Sequence, residues 1–171
     1  MSIVSKVLQL EKTGRLIPYE PTVARAPNPQ GGRRLWLTPD AFQLCCPPGD
    51  HPDHRVTEKS LAHLGEQMNA FVLGEYLEYK EGIDIKRLFP DTRDIWEIKS
   101  YFAKPQLRVL GFFAVPKWFV ATNFALRDDL EPIRGPKWNA AIGFAEKKRA
   151  ELVGRVDHFS NDRGDYVRNP T

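Results

Sequence analysis

From Thr57 onward, apolar side chains recur at three- and four-residue steps: Leu61, Leu64, Met68, Phe71, Val72, Tyr76 and Tyr79. This spacing predicts an amphipathic helix packed on an apolar surface. Thr57 is a candidate N-cap, Gly82 a candidate stop, and Gly74 a point where the run divides into two helices. At Asp94 the period changes from about 3.6 to two. Ile95, Glu97 and Lys99 fall on one face of a strand, with Trp96, Ile98 and Ser100 on the other. Leu107, Val109 and Phe113 then oppose Arg108, Leu110 and Phe112. Trp118, Val120, Thr122, Phe124 and Leu126 alternate with Phe119, Ala121, Asn123, Ala125 and Arg127. Ala103-Lys104-Pro105 and Pro116-Lys117 mark the turns, and turns this short join only antiparallel neighbours. Residues 94–128 therefore read as a three-stranded meander whose middle strand, apolar on both faces, is covered on each side. Gly135-Pro136 opens a last helix, lined by Trp138, Ala141, Ile142, Ala145, Arg149 and Leu152, and Gly154 closes it.

The flanks carry weaker patterns. Ile3, Val7, Leu8 and Leu10 fit a short helix or a strand. Residues 18–32 are dense in Pro and Gly and read as a linker or long loop. Residues 33–37, RRLWL, suit a strand, which Thr38-Pro39-Asp40 either ends or follows with a capped helical turn. The chain thus divides into an N-terminal extension (1–55), a main domain (56–153) and a polar, aperiodic, flexible C-terminal tail (154–171). The expected fold class is α+β: a helical region packed on a small antiparallel sheet, with a C-terminal helix and the extension in front.

Composition narrows the function classes only slightly. With 171 residues and a formal charge of +3, net charge does not single out a nucleic-acid binder, so the placement of the 25 basic residues matters more. No apolar run approaches the roughly 20 residues of a membrane span, and MSIVSKVLQLEKTGR lacks the long apolar region of a secretory signal. The two cysteines are adjacent, at Cys45 and Cys46, which fits a reducing cytoplasm better than a structural disulfide. With His51, Asp53 and His54 they crowd a ten-residue segment, but zinc ligands are usually spaced two to four residues apart. A proline-stiffened loop is the plainer reading, and no metal or other cofactor is expected. His63 and His158 have no partner pattern and are read as surface residues.

The candidate chemistry sits on the meander. Alternation brings Lys99 and Arg108 to one face, with Arg127 at its end, where a phosphate-handling surface can form. Glu97 and Asn123 are candidates for the same face. Arg108 suits phosphate because its planar fork donates two parallel hydrogen bonds and stays charged. The plainer reading makes Lys99 and Glu97 a simple ion pair. Lys147, Lys148 and Arg149 read as a solvated helix face or as a contact for ribosomal RNA. Arg33 and Arg34 hint at a DNA- or protein-binding element in the extension.

Ile95-Trp96-Glu97-Ile98-Lys99, Leu107-Arg108-Val109-Leu110-Gly111-Phe112-Phe113, Phe119-Val120-Ala121-Thr122-Asn123-Phe124 and the helix AAIGFAEKKR at 140–149 together resemble the RelE/ParE toxin superfamily. The closer likeness is to its HigB-like, phage-derived branch. The resemblance covers about residues 57–153. It implies a RelE-like fold and the toxin of a toxin–antitoxin pair: a cytoplasmic, metal-independent endoribonuclease that cuts translated messenger RNA, with the ribosome and a cognate antitoxin as partners. By position it implies that Lys99, Arg108 and Arg127 are catalytic, and that Glu97, Asn123, Lys147 and Lys148 contact substrate. In such a reaction the RNA 2′-hydroxyl attacks its adjacent phosphate, helped by proton transfer and by stabilisation of the phosphoryl charge. The chain departs from the pattern at Glu97, where some active relatives are basic, at Asp128-Asp129, and in lacking a tyrosine or histidine acid near the last helix. Those departures leave open a non-catalytic relative that binds and regulates another protein.

Overall fold

The computed structural model describes residues 1–22, 33–74, 85–156, 160 and 162–167. The predicted Tyr76, Tyr79 and Gly82, most of the 18–32 loop, and His158 lie outside them. The fold is α+β, as the patterning predicts, but its sheet is not small. Among the described residues it has six strands: β1 (Ile17–Pro18), β2 (Arg34–Leu37), β3 (Ile85–Arg87), β4 (Trp96–Lys99), β5 (Leu107–Val115) and β6 (Trp118–Leu126). Their order is β1-β2-β6-β5-β4-β3. The meander β4-β5-β6 is antiparallel as expected, whereas β2 lies parallel to β6, with Leu35 opposite Phe119 and Leu37 opposite Ala121. A strand from the expected extension is therefore an interior strand of the sheet that holds the meander.

The described helices are α1 (Ile3–Lys12), α2 (Pro39–Cys45), α3 (Glu58–Val72) and α4 (Pro136–Val153). The ambiguous first segment is helical because Ser2 caps it, accepting the Ser5 amide, and turns Val7 and Leu10 inward. Thr38 caps α2, and Thr57 forms a reciprocal capping box with Ser60 on α3. Gly74, at φ +73°, follows the end of α3. Helices cover both faces of the sheet. Cys45, Leu64, Met68 and Phe71 of α2 and α3 pack with Leu35, Val109, Phe113 and Phe119 on one side. Val7 and Leu10 of α1 pack with Trp138, Ile142 and Ala145 of α4, and with Trp36, Leu110, Phe112 and Val120, on the other. Each fully buried Phe or Leu contributes about 1.5–3 kcal/mol, which makes these two layers the main source of stability.

Strict alternation along β6 fails at one residue. Leu110 pairs with Asn123 and Gly111 with Ala121, so Thr122 is an extra residue, and the strand changes phase there. Before it, Phe119 and Ala121 face α3; after it, Phe124 and Leu126 do so. The bulge thereby turns Asn123 and Ala125 toward α4, and Asn123 Nδ2 donates to the Ala141 carbonyl (3.5 Å). Opposite it, Gly111 has no room for a side chain: a Cβ would lie 2.1 Å from the Val120 carbonyl oxygen.

The C-terminal region also differs from the flexible tail expected. Tyr166 and Val167 are each only 1% exposed, within the core layer of α3. The Lys117 amide donates to the Tyr166 carbonyl (2.9 Å) and Arg33 Nε to that of Val167 (2.9 Å). Polar composition predicts mobility only where no slot exists for the occasional apolar residue, and here Tyr166 and Val167 have one.

Gly111→Ala is expected to destabilise the chain by about 3 kcal/mol or to prevent folding, since the clash is with backbone rather than a yielding side chain. Urea unfolding followed by circular dichroism measures it.

Candidate functional site

Lys99 stands directly opposite Arg108 across β4 and β5, and Lys86 of β3 stands opposite Glu97. Alternation puts Glu97, Lys99 and Arg108 on the α1/α4 side of the sheet, because their neighbours Trp96, Ile98, Leu107 and Val109 belong to the opposite layer. The structure thus brings together the charged residues that the sequence groups on one face. It also buries them: Glu97 is 3% exposed, Lys99 4% and Arg108 5%.

Glu97 lies between the two cations. Its Oε2 is 3.3 Å from Arg108 Nε and its Oε1 3.9 Å from Lys99 Nζ. The first is a contact of charges without hydrogen-bond geometry, since both atoms are buried and lack a hydrogen-bond partner. Arg108 spends its remaining donors on the chain around it. Nη1 reaches the carbonyls of Leu107 (2.9 Å) and Ser100 (3.4 Å), and Nη2 the Gln106 Oε1 (3.3 Å). Lys99 Nζ donates to the Tyr101 hydroxyl at 3.1 Å. Burial pushes the Glu97 carboxyl above its ordinary 4.5, against the pull of Arg108, Lys99, Lys86 and Arg127. Burial likewise lowers the Arg108 guanidinium, which Glu97 partly restores.

Arg127 lies past β6 and is occupied, with Nη2 2.7 Å from Glu131 Oε1. Asp129, which the sequence set beside Arg127 as a possible repellent, pairs with Arg55 at 2.7 Å. Lys147 is exposed on α4, and Lys148 pairs with Glu151 (3.4 Å) and lies over the Phe144 ring (5.6 Å). Among the described residues the ion-pair partners of Glu97 are Lys99 and Arg108, and neither Lys147 nor Lys148 joins them. Arg33 does not fit a DNA-contacting role: it is buried, it lies over the Phe71 ring, and burial lowers its pKa to about 10. Arg34 stacks over Trp118.

Cys45 is buried and burial raises its thiol well above the ordinary value, while His51 packs on Phe124 and accepts the Asp53 amide at Nδ1 (2.9 Å). His51 and His54 line a surface cavity of about 600 Å³ with Asp50 and Glu58. Among the described residues no three His, Cys, Asp or Glu side chains gather as a metal-binding group.

Two members of the cluster escape a reading by residue pattern. Tyr101 and Gln106 lie in the β4–β5 connection, outside the strand alternation that located the others. Their only signal is nearness to Lys99 and Arg108 in sequence. The resulting class is a mixed α+β protein with a buried charged cluster, two cations around one carboxylate, inside the sheet. No protein-family model, curated protein or solved structure matches the chain.

Glu97→Ala leaves two buried cations without their carboxylate and is expected to cost about 3–5 kcal/mol by urea titration. The raised carboxyl also fixes a sign. The folded state holds the Glu97 proton more tightly than the unfolded chain, so this group's contribution is complete below 4.5 and is lost as pH rises through its folded value. Asp53 and Asp129, whose carboxyls are held low by Arg55, act in the opposite sense and only below 3.8. Above pH 4.5, wild-type stability is expected to decline with a slope that Glu97→Gln removes, as read from unfolding midpoints across a pH series.

Proposed function

We propose that this chain is a RelE/ParE-like protein that acts by binding another protein and does not itself cleave RNA. One observation carries the reading: Glu97 sits in the sheet between Arg108 and Lys99, all three closed off from solvent. Arg127, the third cation that a phosphate-handling site would use, is held by Glu131. To reach Arg108, an RNA phosphate must displace a buried carboxylate, and removing one partner of a buried charged cluster costs several kcal/mol. Support for the scaffold comes from the order of the helix, the meander and the last helix, together with the words quoted on each strand. The surface offered to a partner lies just before α4, where Phe89 and Ile133 are 56% and 54% exposed and the Arg134 guanidinium lies 4.4 Å from the Phe89 ring centroid. Apolar side chains beside a cation suit a partner surface that is apolar with carboxylates at its rim.

A second reading, the messenger-RNA-cleaving toxin with a cognate antitoxin, has one specific observation in its favour. The Tyr101 hydroxyl beside Lys99 is a candidate for the proton donor that the last helix lacks.

Expression of the chain in growing bacteria, with mapping of message 5′ ends, separates the two. The binding reading expects slowed growth with no new 5′ ends, and relief of the slowing by Phe89→Asp. New ends that disappear in a folded Arg108→Gln variant replace it with the ribonuclease reading.

A further inference from the structure

On the sheet face opposite Glu97, a second buried charged group is built around a tyrosine supplied from far along the chain. Arg87 of β3 is 2% exposed, and its Nε is 3.1 Å from Asp94 Oδ1. Its guanidinium lies over two neighbouring rings, 4.8 Å from the Trp96 centroid and 4.9 Å from that of Tyr166. Asp94 is held in turn by Trp96 Nε1 (2.9 Å) and by the Tyr166 hydroxyl, which donates to Oδ2 at 3.1 Å. Tyr166 also packs against Trp96 and Phe113, with ring centroids 4.9 and 5.2 Å away.

The backbone around Tyr166 is gripped as a bound peptide would be. Its carbonyl accepts the Lys117 amide, that of Val167 accepts Arg33 Nε, and that of Ser160 accepts Arg87 Nη2 (2.8 Å). The Ser160 amide closes the loop on the Tyr166 hydroxyl (3.2 Å). Every one of these donors except the Ser160 amide belongs to the sheet or to a segment adjoining it. The slot thus recognises a ring by stacking, a hydroxyl by a carboxylate, a small apolar side chain by burial, and the carbonyls at the end of a short 3-10 turn (Arg163–Tyr166) by directed donors. Those are the elements of peptide recognition.

We propose that the slot formed by Arg87, Asp94, Trp96, Phe113 and Arg33 is a peptide-binding site that reads tyrosine followed by a small apolar residue, and that Tyr166 and Val167 fill it as an intramolecular ligand. A tethered ligand competes at high effective concentration, so the wild-type chain keeps the site closed to peptides in solution. The proposal concerns the face opposite the Glu97 cluster and stands whether or not the protein-binding reading holds.

Its test uses the full-length chain carrying Tyr166→Ala and a fluorescently labelled synthetic peptide of residues 160–167, followed by anisotropy. The expected result is saturable binding to the variant, at least tenfold weaker binding to the wild type, and none of the peptide in which the tyrosine is alanine. Tyr166→Phe keeps the ring and loses only the hydroxyl that reads Asp94; it is expected to bind the peptide with intermediate affinity, and it carries the test if the alanine chain does not fold. Absence of binding by every variant that retains the wild-type circular dichroism spectrum overturns the proposal. So does binding that is indifferent to the peptide's tyrosine.

Discussion

A sheet covered by helices on both faces gives the charged side chains of its inner strands no water to turn to. Each charge must be answered from within the protein, because an isolated ion in that environment costs far more than folding yields. Glu97, Lys99 and Arg108 meet this demand on one face, and Arg87 and Asp94 meet it on the other. The two solutions differ in quality. Asp94 accepts directed bonds from Trp96 and Tyr166, one on each oxygen, while Arg87 Nε only touches its carboxylate as a charge. Glu97 Oε2 and Arg108 Nε touch without such a bond, which leaves the first cluster electrostatically paired and poorly satisfied.

That contrast bears on function. A network as well bonded as that of Asp94 fixes position, and what it fixes is the docking of the chain's last described residues against β3, β4 and the β5–β6 turn. The Glu97 cluster retains the residue types of a phosphate-handling surface, but its carboxylate already occupies the place between the cations. Burial turns Lys99 and Arg108, which read on the strands as basic residues of catalytic interest, into a group closed off from solvent around Glu97, while Arg127 stays partly exposed on Glu131. The exposed apolar side chains Phe89 and Ile133 lie outside that group.

The ends of the chain complete the sheet instead of decorating it. β2 pairs in parallel with β6, α1 packs on α4, and Lys6 Nζ caps the last turn of α4 by donating to the Val153 carbonyl at 2.9 Å. The extension and the tail are therefore structural partners of the meander. Leu35, Leu37 and Tyr166, which lie outside residues 56–153, share a core with Leu64, Val109 and Phe119 of the segment between.

By itself, the sequence determined the local elements: the capped helix from Thr57, the antiparallel meander with Lys99 and Arg108 on one face, and the helix from Pro136 to Gly154. Period, caps and short turns are local properties, and they suffice for that. The parallel placement of β2, the phase change at Thr122 that turns Asn123 toward α4, and the capture of Tyr166 by Arg87 and Asp94 were decided only in the tertiary structure. Each depends on which segments, distant along the chain, meet across the sheet. The same holds for the candidate site. Alternation showed that Glu97 shares a face with Lys99 and Arg108, but only the packing of helices over that face decided that the three charges would be spent on one another.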